Sequence, residues 1–117
     1  MKIKKLIDLI LKVLDDAKAL DVTVFEVSKL TSISDYMIIA SGRSNRQVNA
    51  LAEKVAEVAK QNGIKPLGTE GKKEGEWVLV DLGDIIVHLM HPDTREYYQL
   101  EKLWSVDAIE AEQAKQV

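Results

Sequence analysis

Apolar residues recur every three or four positions through Ile3, Leu6, Ile7, Ile10, Val13, Leu14 and Ala17, with lysine and aspartate between them. That period is one face of an amphipathic helix, and it predicts a first helix over residues 3–20, ended at Asp21. The pattern then changes. Val22 to Val27 is short and rich in β-branched residues and predicts a strand. Ser28 to Ser34 is polar and predicts a loop around Leu30 and Ile33. Asp35 opens the run Tyr36, Met37, Ile38, Ile39 and Ala40, which lacks any polar alternation, as expected of a central strand buried on both faces. A turn follows at Ser41-Gly42-Arg43-Ser44. Ser44 is a good N-cap, and Gln47 three residues on completes a capping box. The helix over 44–62 then carries Val48, Leu51, Ala52, Val55, Val58 and Ala59 on one face, and Gly63 closes it.

Ile64 to Leu67 predicts a short strand, placed at a sheet edge because Pro66 has no backbone donor. Gly68 to Gly75 is rich in glycine, lysine and glutamate and predicts a loop. Trp77 to Asp81 and Asp84 to Met90 predict two strands joined by a tight turn at Leu82-Gly83. Pro92 then precedes a last helix from Asp93, capped by Asp93 or Thr94, with Tyr97, Leu100, Leu103 and Trp104 as its stripe. Beyond Trp104 the chain is polar and acidic. The expectation is a single domain over residues 1–105 with a tail over 106–117. The order α-β-β-α-β-β-β-α belongs to the α/β (α+β) class, with one mixed sheet and helices packed on it.

Composition adds bounds. The 117 residues suffice for one core, and 46% hydrophobic with 30% charged residues is the balance of a globular protein. There is no cysteine, which excludes disulfides, thiolate metal sites and cysteine nucleophiles. The basic start at Lys2, Lys4 and Lys5 is followed by an apolar stretch broken by Asp8 and Lys12, with no small-residue cleavage site after it, so no secretory signal is expected. No apolar run is long enough to span a bilayer, so the expected compartment is the cytoplasm. The net charge is −3, without the basic surplus of a protein whose primary ligand is bare nucleic acid. Residues 1–80 carry 13 basic and 11 acidic side chains, whereas 81–117 carry 3 and 8, so the C-terminal third suits a basic partner.

Catalytic chemistry finds little footing. Ser41-Gly42-Arg43-Ser44 sits where a nucleotidyltransferase places a Gly-Ser turn to hold phosphate at a helix N-terminus. The same turn is also a plain strand-to-helix connector with an N-cap. Phosphoryl transfer further needs a carboxylate pair holding divalent metal, and Asp81 and Asp84 instead flank a turn that they are suited to fix. His88 and His91, three apart on a strand, point to opposite faces and do not pair on a metal. No serine has an evident histidine–carboxylate partner. The expectation is a binding protein: no enzyme, no metal, no cofactor.

Several stretches together resemble one family. They are DYMIIASGRS over residues 35–44, Glu70-Gly71, WVLVDLGDIIVHLM over 77–90 and REYYQLEKLW over 95–104. In this combination, in one register over residues 5–105, the chain resembles the RsfS/Iojap family of ribosomal silencing factors. The resemblance implies a mixed sheet with helices related to the nucleotidyltransferase fold. It implies binding to large-subunit ribosomal protein fourteen where the small subunit would dock, which blocks subunit joining and represses translation under nutrient limitation. Organellar relatives act in large-subunit assembly, which is the alternative role.

Strand parity points to a partner face. With Leu82 and Gly83 as a two-residue turn, Asp81 pairs with Asp84, Val80 with Ile85, Leu79 with Ile86, Val78 with Val87 and Trp77 with His88. One face is then Val78, Val80, Ile85, Val87 and Leu89, wholly aliphatic and suited to the amphipathic helices. The other is Trp77, Leu79, Ile86, His88 and Met90, a mixed surface of the kind that meets partners. Its occupant is either a partner or the last helix, through Tyr97, Leu100 and Trp104. Arg95, Tyr98 and Glu101 lie on another side of that helix and are candidates for a polar rim. The partner-binding set is therefore Trp77, Leu79, His88, Met90, Arg95, Tyr98 and Glu101. An apolar face left open also points to a homodimer of the free protein.

Overall fold

The computed structural model describes residues 3–32 and 34–103. Trp104, expected in the core, and the expected tail over 106–117 lie outside them. Helix α1 (Ile3–Asp16) buries Leu6, Ile7, Ile10 and Leu14 on one stripe. It ends earlier than the period suggested because Lys18 turns left-handed (φ 63°) and Ala19 N–H closes back on the Leu14 carbonyl at 2.9 Å. Strand β1 (Leu20–Glu26) follows, with an irregularity between Leu20 and Thr23 where Asp21 has φ 49°. Strand β2 (Tyr36–Ser41) is buried on both faces from Met37 to Ser41, as its unbroken apolar run required.

Helix α2 (Asn45–Gln61) starts at the expected cap: Gln47 N–H donates to Ser44 Oγ at 3.1 Å. The reciprocal half of the box is displaced by one residue, with Arg43 N–H donating to Gln47 Oε1 at 2.6 Å. Gly42 lies against the first turn of this helix, where a Cβ would meet Val48 N at 2.9 Å. The segment from Ile64 to Leu67 is not a strand, contrary to the pattern. Strand β3 is Gly68–Glu70, inside the expected loop. Strands β4 (Trp77–Asp81) and β5 (Ile85–Met90) complete one five-stranded sheet in the order β1-β2-β5-β4-β3, with β2 and β5 parallel and the other pairs antiparallel.

The β4–β5 register differs from the expected one by two residues: Trp77 faces Met90, Leu79 faces His88 and Asp81 faces Ile86. The cause lies in the turn. Leu82 N–H closes on the Ile85 carbonyl at 2.9 Å, and Gly83, at φ 87°, donates to Asp81 Oδ1 at 2.9 Å. The Asp84 carbonyl turns away and accepts from Asp35 and Tyr36 N–H at the start of β2. A slip of two preserves parity, so the membership of each face is unchanged.

Helices α1 and α2 cover one face. Their apolar stripes share a core with Ile38, Ala40, Val78, Val80, Ile85, Val87 and Leu89, which alternate along each strand and so lie on one face. A second cluster lies on the other face: Val27, Met37, Ile39 and Met90, with Phe25, Trp77 and Leu100 packed against it. Over this second face runs α3 (Pro92–Tyr98), followed by a 3-10 turn, Leu100–Leu103. The long terminal helix expected from the stripe is broken at Gln99, whose left-handed φ of 50° ends α3. His91, not Asp93 or Thr94, caps it, with Asp93 N–H donating to His91 Nδ1 at 3.3 Å.

One backbone position ties this architecture to the second face. Gly71, at φ 90°, lies so close to β4 that a Cβ there would fall 2.1 Å from the Trp77 carbonyl oxygen. Gly63 has a similar φ of 82° but nothing within 4 Å of the added atom. Gly63→Ala is therefore expected to cost about 1 kcal/mol of backbone strain. Gly71→Ala adds a backbone clash and is expected to cost at least about 2 kcal/mol. Thermal melts of the two variants check this, and equal costs would refute the close approach.

Candidate partner interface

The second face is divided in two. Toward Met90 and Ile39 it is closed: Met90 is fully buried, and Leu100 packs over its cluster. Toward Trp77 and Leu79 it opens into a cleft of about 350 Å³. Trp77, Leu79 and Tyr98 form its apolar wall, and Glu70, Glu74 and Glu76 give it an acidic rim. The Trp77 and Tyr98 rings lie 5.0 Å apart at 50°, and Tyr97 meets Tyr98 edge-on at 5.0 Å. Tyr97 is 82% exposed and Tyr98 55%. Three aromatic rings are thus clustered at an acidic surface.

His88 lies beneath Trp77. The Trp77 indole Nε1–H donates to His88 Nδ1 at 2.9 Å, with the rings 5.8 Å apart. Accepting at Nδ1 places the imidazole proton on Nε2. That nitrogen is buried and has no hydrogen-bond partner among the described residues. Burial disfavours the charged form and pushes the His88 pKa down to about 4. The imidazole is therefore neutral at physiological pH and acts as a fixed acceptor that orients the indole.

The expected contact set thus separates by position. Trp77, Leu79 and Tyr98 line the cleft. His88 and Met90 are interior, so neither presents a side chain to solvent. Arg95, expected on a polar rim, turns inward, with its side chain only 12% exposed and Glu101 as its salt-bridge partner. The bend at Gln99 causes this, because it folds Glu101 back onto the helix. The acidic rim at Glu70, Glu74 and Glu76 was missed. Its signal was present in the sequence as carboxylates spaced through the stretch just before Trp77.

Candidate chemistry elsewhere is sparse. At the Ser41-Gly42-Arg43-Ser44 turn, Arg43 N–H and Gln47 N–H are engaged in the cap and are not free to hold a phosphate. Asp81 fixes its turn through Gly83 N–H. Among the described residues no group of three or more histidine or carboxylate side chains could hold a metal, and no helix is long and apolar enough to cross a membrane.

The family model described as "Ribosomal silencing factor during starvation" matches residues 1–117. The chain belongs to the RsfS family. It is 47% identical over 104 residues to the ribosomal silencing factor RsfS of Chromobacterium violaceum, covering 89% of this chain and 85% of that one. The Haemophilus influenzae RsfS is 45% identical, covering 86% and 98%. A crystal structure of a Chromobacterium violaceum protein superposes with a TM-score of 0.87 at 47% identity, covering 89% of this chain and 87% of that one. A more distant relative, the mouse "Mitochondrial assembly of ribosomal large subunit protein 1", is 33% identical and extends well beyond the match, which spans 49% of its length. The RsfS family resemblance read from residues 35–44, 77–90 and 95–104 is thereby established, as is the mixed α+β fold.

Proposed function

We propose that this protein silences ribosomes by occupancy: it docks on large-subunit ribosomal protein fourteen and so keeps the small subunit from joining. No bond is made or broken, no cofactor takes part, and the site of action is the cytoplasm. The observation that carries the proposal is the aromatic cluster of Trp77, Tyr97 and Tyr98 left at the surface beside Leu79. Exposed aromatics of this kind are typical anchors of a protein interface. The acidic rim of Glu70, Glu74 and Glu76 suits a basic ribosomal surface and favours rapid encounter. When the partner is absent, the same face pairs two copies of the chain. A role in large-subunit assembly is the second reading, favoured by the name of the mouse relative.

Sucrose-gradient fractionation of a lysate tests this. The protein is expected with free large subunits and depleted from joined ribosomes and polysomes. Tyr98→Ala removes a half-exposed ring without opening the core, so it is expected to leave the melting temperature nearly unchanged. Its loss should weaken binding by about 2 kcal/mol, more than tenfold. Equal occupancy of small subunits, large subunits and polysomes would refute occlusion. A failure of large-subunit maturation in cells lacking the protein, with normal subunit joining, would favour the assembly role.

A further inference from the structure

Helix α3 is anomalous in how it is held. It has seven residues and not one of them is buried, so no apolar stripe holds it to the sheet. Two helical turns are not stable alone in water. Arg95 supplies the missing anchor. Its Nη1 donates to the Asp21 carbonyl at 2.7 Å and to Ser41 Oγ at 3.1 Å. Its Nη2 donates to Thr23 Oγ1 at 3.4 Å, and its Nε pairs with Glu101. The acceptors belong to three separate segments: the irregular stretch of β1, the end of β2 and the 3-10 turn. The first of these lies where β1 departs from regular pairing: Asp21, at φ 49°, falls in the register irregularity between Leu20 and Thr23. A planar guanidinium can serve such a divergent set at once, and a compact ammonium cannot.

We propose that Arg95 is a positioning residue: it latches α3 across the ends of β1 and β2 and thereby holds the Tyr98 ring against Trp77, which builds the wall of the docking cleft. Arg95 then acts on partner binding without touching the partner. Tyr98 lies three residues on from Arg95 in the same short helix, so a displacement of the latch moves the ring directly. The link to docking rests on the function proposed above, whereas the latch itself does not.

The test uses Arg95→Ala and Arg95→Lys in the full chain, with amide hydrogen exchange and binding to purified large subunits as readouts. In Arg95→Ala the amides of α3 and the 3-10 turn should exchange at least about tenfold faster, while those of β2 and β5 keep their protection. Affinity should fall about tenfold or more. Arg95→Lys keeps the charge but not the fork, and should lie between wild type and Arg95→Ala in both readouts. It also serves if the alanine variant folds poorly. Unchanged exchange in α3 would overturn the latch. Faster exchange with undiminished affinity would overturn its role in positioning the cleft. Full affinity in Arg95→Lys, with α3 exchange unaltered in both variants, would show instead a direct charge contact with the ribosome. A wild-type protein that does not bind large subunits would remove the docking function, and the exchange measurement would still decide the latch.

Discussion

Met90→Glu is expected to unfold the protein rather than to weaken its docking. Met90 is fully buried among Val27, Met37 and Ile39, with Phe25, Trp77 and Leu100 packed against that cluster. It is fixed between Trp77 on β4 and Ser41 on β2. A carboxylate placed there leaves water and gains no cation. Arg95, the cation on the same side, already binds four groups, Ser41 among them. An uncompensated buried charge should cost at least about 3 kcal/mol, or a melting temperature lower by roughly 12 °C or more in a domain of this size. Met90→Leu nearly conserves volume and polarity and should cost less than about 1.5 kcal/mol. Thermal melts of the two variants, at a protein concentration where wild type is monomeric, decide the matter. A Met90→Glu variant that melts like wild type but fails to bind large subunits would show Met90 at the surface after all.

Parity alone leaves open which part of the mixed face is core. The alternation along residues 77–90 separates the aliphatic face from the mixed one, because the side-chain period of a strand is two and survives the two-residue slip in register. It cannot say how far a covering segment reaches. The stripe of Tyr97, Leu100, Leu103 and Trp104 suggested one continuous helix, but Gln99 breaks it in a left-handed conformation. The residues before the break, Tyr97 and Tyr98, are then exposed, and Leu100 after it packs down on the Met90 cluster. The mixed face is therefore half core and half open cleft.

The other departures have similar causes. Strand β3 was invisible because three residues, Gly68 to Glu70, pair with β4 through backbone groups and need no apolar signature. Arg95 looked like a rim residue because helical spacing places it beside Tyr98 and Glu101. Its acceptors at Asp21, Thr23 and Ser41 are 54 to 74 positions away in the chain and meet it only through the sheet. Local pattern carried the cap at Ser44, the buried run of β2 and the aliphatic face. Contacts closed over long sequence distances had no local signal.

His88 leads to a second large effect, on stability against pH. Its pKa falls from 6.5 to about 4 because burial penalises the imidazolium. As pH drops through 6.5 the unfolded chain takes up a proton at this position, while the folded chain does not until about pH 4. The unfolded state thus binds more protons in that window, so stability falls as pH falls. The contribution is fully present above pH 6.5, is lost progressively down to pH 4 and is flat below. Its total is about 3 kcal/mol, since each pKa unit is worth about 1.4 kcal/mol. Carboxylates titrate over the same range, so the signal lies in a difference. His88→Leu lacks the titration, and it also leaves the Trp77 indole N–H without its acceptor, so it should be the less stable protein at pH 7. Denaturant unfolding of both proteins from pH 7 to pH 4 should show the gap between them shrinking by about 3 kcal/mol, with the variant overtaking wild type if its deficit at pH 7 is smaller than that. Parallel curves would mean that His88 titrates normally in the folded state. The same protonation would occupy Nδ1, the atom that accepts from Trp77. Above about pH 4 that acceptor is intact in the folded protein, and the indole remains anchored in the wall of the cleft.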